Sequence, residues 1–391
     1  MRTCEGYDHL VNRQKNEWLK IIQKKQKQHK HRQLLQYLLT ACIKLPWAQK
    51  FISQIERSGH AWILRFPARR FIAGDTIEEA LANQSLATLI DRLNIKTTFA
   101  YEVESTFDPK VAEKNLEEFK HCATTLDGTN DESMSIKLSA LALFEKDPEK
   151  YGYSEPQIKK IKNYLRQLLN RAAVNDVSIC IDMECFIYKD PTIRIFTELL
   201  ETTPQYAEFL QLAFQCYLKD SPQDADKLVA WAEQFYARTN ERVRLRVIKG
   251  ANMATDHRHT QLGLHQDVIT KDKETTQRQF IKIMNFFEQH TDCLDVAYGT
   301  MNPDSIAHII HTWQENRQDP TQRQIQTLFG MHDPLKFALT DITDQQVYVP
   351  YAPLEKILAY MTRRFIELKE SQKGAMPIME YHNGELVQIN K

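Results

Sequence analysis

Several features that mark specialised protein classes are missing from this chain. Lysine plus arginine and aspartate plus glutamate both number 51 in 391 residues, so no net basic field exists to hold nucleic acid. Binding to DNA or RNA is thereby disfavoured. No stretch approaches the ~18 consecutive apolar residues of a membrane span, and the N-terminus lacks the apolar core of a signal peptide. The seven cysteines, at positions 4, 42, 122, 180, 185, 216 and 293, form no CxxC pair. They read as reduced thiols of a cytoplasmic chain. Glycine is scarce, at 11 residues, and no GxGxxG follows a strand candidate; a Rossmann-type dinucleotide fold is without support. There is no sustained repeat and no low-complexity linker.

What the chain does contain, from about residue 97 onward, is an alternation of strand and helix patterns. The strand candidates are Thr97–Glu104, Ser135–Leu141, Val177–Met183, Phe209–Leu218, Val243–Ala251, Asp295–Met301, Gln324–Gly330 and Val347–Tyr351. Between them, apolar residues recur at three and four spacing, for example over Lys159–Ala172, Asp224–Tyr236, Thr276–Phe287, Ser305–Trp313 and Leu354–Leu368. Eight alternating strands are the number that closes a parallel barrel. The expected fold is therefore α/β, a distorted (βα)8 TIM-like barrel with an N-terminal helical arm. We divide the chain into an arm over 1–70, a barrel over 71–370 and a C-terminal tail over 371–391. Within the arm, Lys20, Lys24, Lys25, Lys27, Lys30 and Arg32 precede the apolar Leu34, Leu35, Leu38 and Leu39. Such a basic helix running into an amphipathic one either packs on the barrel or makes a peripheral contact with an anionic membrane surface at the inner face.

In such barrels chemistry sits at the C-terminal ends of the strands. The residues standing there are Glu104, Lys137, Asp182 with Glu184, Gln215, Arg246 with Lys249, Thr300 with Asn302, Gly330 and Tyr348. Val243–Ile248 reads as a buried strand, and cations such as Arg246 and Lys249 at its end call for something anionic; edge protection is the other use of such charges. Gly250 and Ala251 then let a ligand approach the backbone. Further on, Tyr360, Arg363, Arg364 and Glu367 share one helix face. Adjacent arginines are either solvated or form a pair of planar forks for a carboxylate.

These pieces, in this order, resemble the proline dehydrogenase family of flavin-containing barrels. The resemblance runs from Phe71-Ile72-Ala73-Gly74 to Arg363-Arg364-Phe365-Ile366-Glu367 and includes Ile181-Asp182-Met183-Glu184, Gln215-Cys216-Tyr217, the Arg246–Ala251 run, Gly299-Thr300-Met301-Asn302 and Tyr348-Val349-Pro350-Tyr351. It implies FAD-dependent oxidation of L-proline to pyrroline-5-carboxylate, with electrons passed to a quinone or other acceptor. By the same resemblance Arg363 and Arg364 clamp the proline carboxylate, and Lys137 pairs with Asp182 beside the ring. Tyr348 and Tyr360 belong to the substrate pocket, which Glu104 helps to close. Toward the cofactor it places Gln215, Arg246, Lys249, Gly250, Ala251, Met301 and Asn302 at the flavin, Thr270, Lys271 and Thr275 at phosphate and adenosine, and Glu367 at adenosine. Lys137, Asp182 and Arg246 are the catalytic candidates. A separate pyrroline-5-carboxylate dehydrogenase is the expected partner, because no second catalytic domain is recognised in the sequence.

Two positions depart from the pattern. Asn252 stands where many members carry tyrosine, and Met301 replaces a histidine that usually touches the cofactor. They motivate an alternative, a pseudoenzyme or regulatory amino-acid-binding barrel with weak or no flavin. Other chemistries fit less well. His257, His259 and His265 fall in a polar stretch with no evident cysteine or carboxylate geometry, so no metal centre is expected. A Schiff-base role for Lys137 is less apt than non-covalent amino-acid binding. Cys185, with no histidine placed by the motifs to activate it, reads as a structural thiol.

Overall fold

The computed structural model describes residues 17–25, 70–103, 108–128, 132–141, 153–353, 356 and 360, together with the backbone of 378–382 and 385–389. Eight parallel strands close into a barrel in sequence order: β1 Lys96–Tyr101, β2 Ser133–Ile136, β3 Ser178–Ile181, β4 Leu210–Gln215, β5 Val243–Ile248, β6 Leu294–Gly299, β7 Gln324–Leu328 and β8 Asp344–Tyr351. Closure is made by β1 against β8, registered from Lys96 beside Gln346 to Tyr101 beside Tyr351. Most strands end two or three residues before the sequence pattern does. The expected Ser135–Leu141 strand is in fact β2 followed by a 3-10 turn over Leu138–Ala140.

The strands alternate because the barrel has two unlike faces. Phe99, Ile179, Ile181, Leu210, Leu212, Val243, Leu245, Val247, Leu294 and Val347 are buried in the hydrophobic core. The other parity is polar. At the N-terminal end of the barrel Lys96 pairs with Asp344 at 3.0 Å, and Arg244 donates to Ser178 Oγ at 2.8 Å. Parallel strands buried on both sides usually read as continuous apolar runs. Here a charged and amide-rich interior imposes period two, which is why Arg244 and Arg246 share a face.

The helices are α1 Ile77–Leu81, α2 Gln84–Leu93, α3 Pro109–Thr125, α4 Glu155–Val174, α5 Phe186–Thr202, α6 Ser221–Thr239, α7 Met253–Gln261, α8 Lys273–Phe287, α9 Pro303–Glu315 and α10 Asp333–Leu339. Local chemistry sets their ends. Asp108, Asp272 and Asn302 accept first-turn backbone N–H groups of α3, α8 and α9, satisfying donors the helices leave open. Asn94 and Asn240 end α2 and α6 in the left-handed conformation. The four helical stretches expected between Lys159 and Trp313 lie inside α4, α6, α8 and α9. Of the expected Leu354–Leu368 helix, only Lys356 and Tyr360 are described, both helical.

Of the arm, residues 17–25 form a helix that packs on the barrel. Ile22 is fully buried, Trp18 Nε1 donates to Gln314 Oε1 at 2.7 Å, and Lys25 donates to the Thr340 carbonyl at 3.4 Å. Among the described residues no helix is long and apolar enough to cross a membrane. The backbone of Ile378–His382 and Glu385–Ile389 forms an antiparallel hairpin.

Candidate active site

The barrel's polar interior parity delivers charged residues to its C-terminal mouth. Strand ladders persist one residue beyond β1 and β3: Glu102 N–H donates to the Tyr351 carbonyl at 3.0 Å, and Asp182 N–H to that of Ile136 at 2.9 Å. The side chains of Glu102, Lys137, Asp182, Arg246 and Tyr348 meet there. Arg246, 5 % exposed, donates to Asp182 Oδ1 and to Ser135 Oγ, each at 3.1 Å. Lys137 donates to Glu102 Oε2 at 2.9 Å and lies 3.8 Å from Asp182 Oδ2. The Tyr348 hydroxyl is 2.8 Å from both Glu102 Oε1 and Asp182 Oδ2, and its ring faces the Arg246 guanidinium at 5.7 Å. Burial, then the charges of Asp182 and Glu102, push the Tyr348 phenol well above its ordinary pKa of 10. It stays protonated and works as a donor.

Lys137, Asp182, Arg246 and Tyr348 are thus brought together, although Lys137 is nearer Glu102 than Asp182. Glu102 is the residue sequence reasoning missed, and Glu104 lies outside the described residues. β1 ends at Tyr101, so the first residue of inward parity beyond the strand is Glu102. Glu184 goes elsewhere, accepting the backbone N–H and the hydroxyl of Ser139. Burial raises its pKa, with Ser139 opposing. Tyr360 is buried. Arg363, Arg364 and Glu367 fall outside the described residues.

A second group lies on the β4–β5–β6 side. Gln215 is 3 % exposed, and neither of its amide atoms has a hydrogen-bond partner among the described residues. Nε and Nη2 of Arg246 are likewise buried without a partner. Gly250 has φ +133°, and a Cβ there would come within 1.9 Å of the Tyr217 ring; only glycine fits. Lys249 Nζ lies 5.5 Å from the Phe280 ring centroid, and burial lowers its pKa to about 8 despite the opposing charge of Asp304. Ala251 follows in an exposed position and Met301 packs partly buried against the core.

Three expected cofactor contacts are engaged locally. Asn302 Oδ1 caps α9 by accepting Ser305 N–H at 3.0 Å. Thr270 Oγ1 pairs with Thr276 Oγ1 at 2.5 Å, and Thr275 N–H goes to the Asp272 cap at 2.7 Å. Lys271 is exposed. Asn252 donates to the Met183 carbonyl at 3.3 Å, linking the β5 exit to the β3 exit.

A closed parallel barrel with ionisable residues converging at the C-terminal strand ends defines a (βα)8 enzyme of the TIM class. Residues 75–374 match the family described as proline dehydrogenase, and the chain belongs to that family. Proline dehydrogenase 1 of Bacillus subtilis (strain 168) is 26 % identical over 325 residues, covering 81 % of this chain and 93 % of the relative. The carbapenem antibiotics biosynthesis protein CarD of Pectobacterium carotovorum is 24 % identical over 306 residues, 76 % of this chain and 77 % of CarD. The bifunctional protein PutA of Salmonella typhimurium is 25 % identical over 335 residues, 80 % of this chain but only 24 % of PutA. Among solved structures, proline utilization A from Bdellovibrio bacteriovorus inactivated by N-propargylglycine superposes with a TM-score of 0.69 at 20 % identity, over 77 % of this chain and 32 % of that one. The last likeness is one of fold.

Proposed function

We propose that this chain oxidises L-proline to pyrroline-5-carboxylate, with FAD as its cofactor. The convergence of Arg246, Asp182, Lys137, Glu102 and Tyr348 at the mouth of a proline dehydrogenase-family barrel carries the reading. Reaction removes a hydride from the ring carbon beside nitrogen and a proton from nitrogen, leaving a C=N bond. A bound flavin supplies the hydride acceptor. The residues fit a flat polar heterocycle: the unpartnered amide of Gln215 offers a donor and an acceptor, and Arg246 offers buried donors. Lys249, Gly250 and Ala251 would complete that wall, with Met301 and Asn302 toward the same cofactor. Thr270, Lys271 and Thr275 would lie toward the phosphates.

The chain's own groups position the substrate. Glu102 and Asp182 formally balance Lys137 and Arg246, so the described cluster has no surplus positive charge to hold a carboxylate. Arg363 and Arg364 are the cations assigned to that task, with Glu367 toward the adenosine and Tyr348 and Tyr360 as pocket walls. Locked between two carboxylates, Tyr348 gives the substrate a fixed face to pack on. Electrons would leave to a quinone or another acceptor, and the product would pass to a pyrroline-5-carboxylate dehydrogenase.

An absorbance scan, followed by anaerobic addition of L-proline and a proline-dependent dye-reduction assay, tests the reading. Flavin absorbance bleached by proline is expected. Full flavin occupancy without bleaching would refute the substrate, and failure to take up any flavin on reconstitution would support the amino-acid-binding alternative that Asn252 and Met301 motivate.

A further inference from the structure

Beside the charged cluster, four side chains with metal-binding chemistry meet between the start of α5 and α7. Cys185 occupies the N-cap position of α5 and is 6 % exposed; Asp256, in the first turn of α7, is fully buried. His259 follows Asp256 by three residues and shares its helix face. Cys185 Sγ, an Asp256 carboxylate oxygen and a ring nitrogen of His259 all lie within 4.8 Å of one another. From the loop after α7, His265 directs Nε2 to 3.9 Å from Asp256 Oδ1, with its side chain 9 % exposed.

Hydrogen bonding makes this more than a chance meeting. His265 Nδ1 is 2.7 Å from the Gln266 carbonyl, and a carbonyl only accepts, so Nδ1 carries the hydrogen. Nε2 faces the Asp256 carboxylate, buried and without a hydrogen-bond partner among the described residues. His259 Nδ1 is also buried without one. A buried ring nitrogen and a carboxylate so placed leave room for either a proton or a metal cation between them. The surrounding bonds are those that orient metal ligands: Gln266 carbonyl to His265, Phe186 N–H to Asp256 Oδ1 at 2.9 Å, and the Tyr217 hydroxyl to Asp256 Oδ2.

We propose that Cys185, Asp256, His259 and His265 form a tetrahedral site for a divalent transition metal of the zinc class. One sulfur, two imidazoles and one carboxylate suit zinc rather than magnesium or calcium, which prefer all-oxygen shells. Bonds of about 2.1 Å give ligand separations of about 3.4 Å, so Cys185, Asp256 and His259 close from 4.8 Å with movements below about 1 Å each, and His265 would swing in from its place beside Asp256. Burial, then the charge of Asp256, holds the Cys185 thiol well above its ordinary pKa, so the metal itself must displace the thiol proton, which leaves to solvent as the sulfur coordinates. Affinity therefore weakens as pH falls. The ion would tie the β3–α5 junction to α7, the segments just beyond Asp182 and Arg246, and so hold the mouth of the barrel in register.

The full chain, dialysed against chelator, is titrated with Zn(II) by competition and with Co(II) as a spectroscopic probe. One ion per chain is expected, with visible tetrahedral Co(II) bands and a near-ultraviolet thiolate charge-transfer band. Cys185→Ser should abolish the charge-transfer band, His265→Gln should weaken Zn(II) binding at least about 10-fold, and His257→Gln, on the exposed side of α7, should change neither. Far-UV circular dichroism of the apo variants checks folding; if a variant unfolds, the wild-type Co(II) spectrum decides alone. A spectrum without thiolate charge transfer, or binding unchanged in folded Cys185→Ser and His265→Gln, would overturn the site.

Discussion

The Tyr348 hydroxyl lies 2.8 Å from Glu102 Oε1 and 2.8 Å from Asp182 Oδ2, but a phenol has one proton to give. It serves one carboxylate at a time. Tyr348→Phe removes that proton and leaves the ring in place. A hydrogen bond to a charged group contributes roughly 1.5 to 3 kcal/mol. Lys137 remains on Glu102 and Arg246 on Asp182, which partly screens the loss, so about 2 kcal/mol of destabilisation is expected. Denaturant unfolding at constant slope measures it. Double-mutant cycles with Glu102→Gln and Asp182→Asn then apportion it. The two coupling energies should together come to about 2 kcal/mol, because one proton is shared. If each reached that value separately, or if Tyr348→Phe cost less than about 0.5 kcal/mol, the shared-donor account would be wrong.

Gly250→Ala places a Cβ 1.9 Å from the buried Tyr217 ring at φ +133°, so strain and overpacking should destabilise the fold by about 2 to 5 kcal/mol in thermal or chemical unfolding; a neutral effect would refute the close approach. Lys249 should titrate near pH 8, read by NMR of the reductively 13C-methylated protein. Its native pKa is depressed below the unfolded 10.5, so stability should rise between pH 8 and 10.5, a rise that Lys249→Met removes; a midpoint near 10.5 would contradict the burial argument. His332, held near pKa 4 mainly by burial, stays neutral in the fold while the unfolded chain takes up a proton below 6.5. Stability should fall by about 3 kcal/mol between pH 6.5 and 4, and His332→Asn, which tolerates the φ of 49°, should flatten that slope in acid unfolding.

Much of the architecture was legible because it is written locally. Outward-facing apolar residues such as Ile179, Ile181, Leu245 and Val247 recur at period two, and the helical stretches at three and four spacing, whatever the rest of the chain does. Arg246 and Asp182 were legible as site residues for the same reason: a charge at a buried strand end needs a partner somewhere. Their partners were not. Whether Glu102 or Glu104 enters the site depends on where β1 stops, and parity alone allows both. Asn302 and Thr275 are expected cofactor contacts, and the bonds they make in the first turns of α9 and α8, Asn302 as cap and Thr275 through its N–H, appear only when those turns are placed.

The sequence by itself determined which residue types stand at each strand end, because backbone alternation and helix periodicity act over a few residues. Tertiary structure alone decided which of them touch. Tyr348 meets Glu102 across 246 positions because barrel closure sets β8 beside β1. Asp256, His259 and His265 are neighbours along the chain, but Cys185 joins them only in the fold. They meet because the exit of β3 and the helix after β5 are folded against one another at the same end of the barrel, linked by the Phe186 N–H to Asp256 and by Asn252 to Met183.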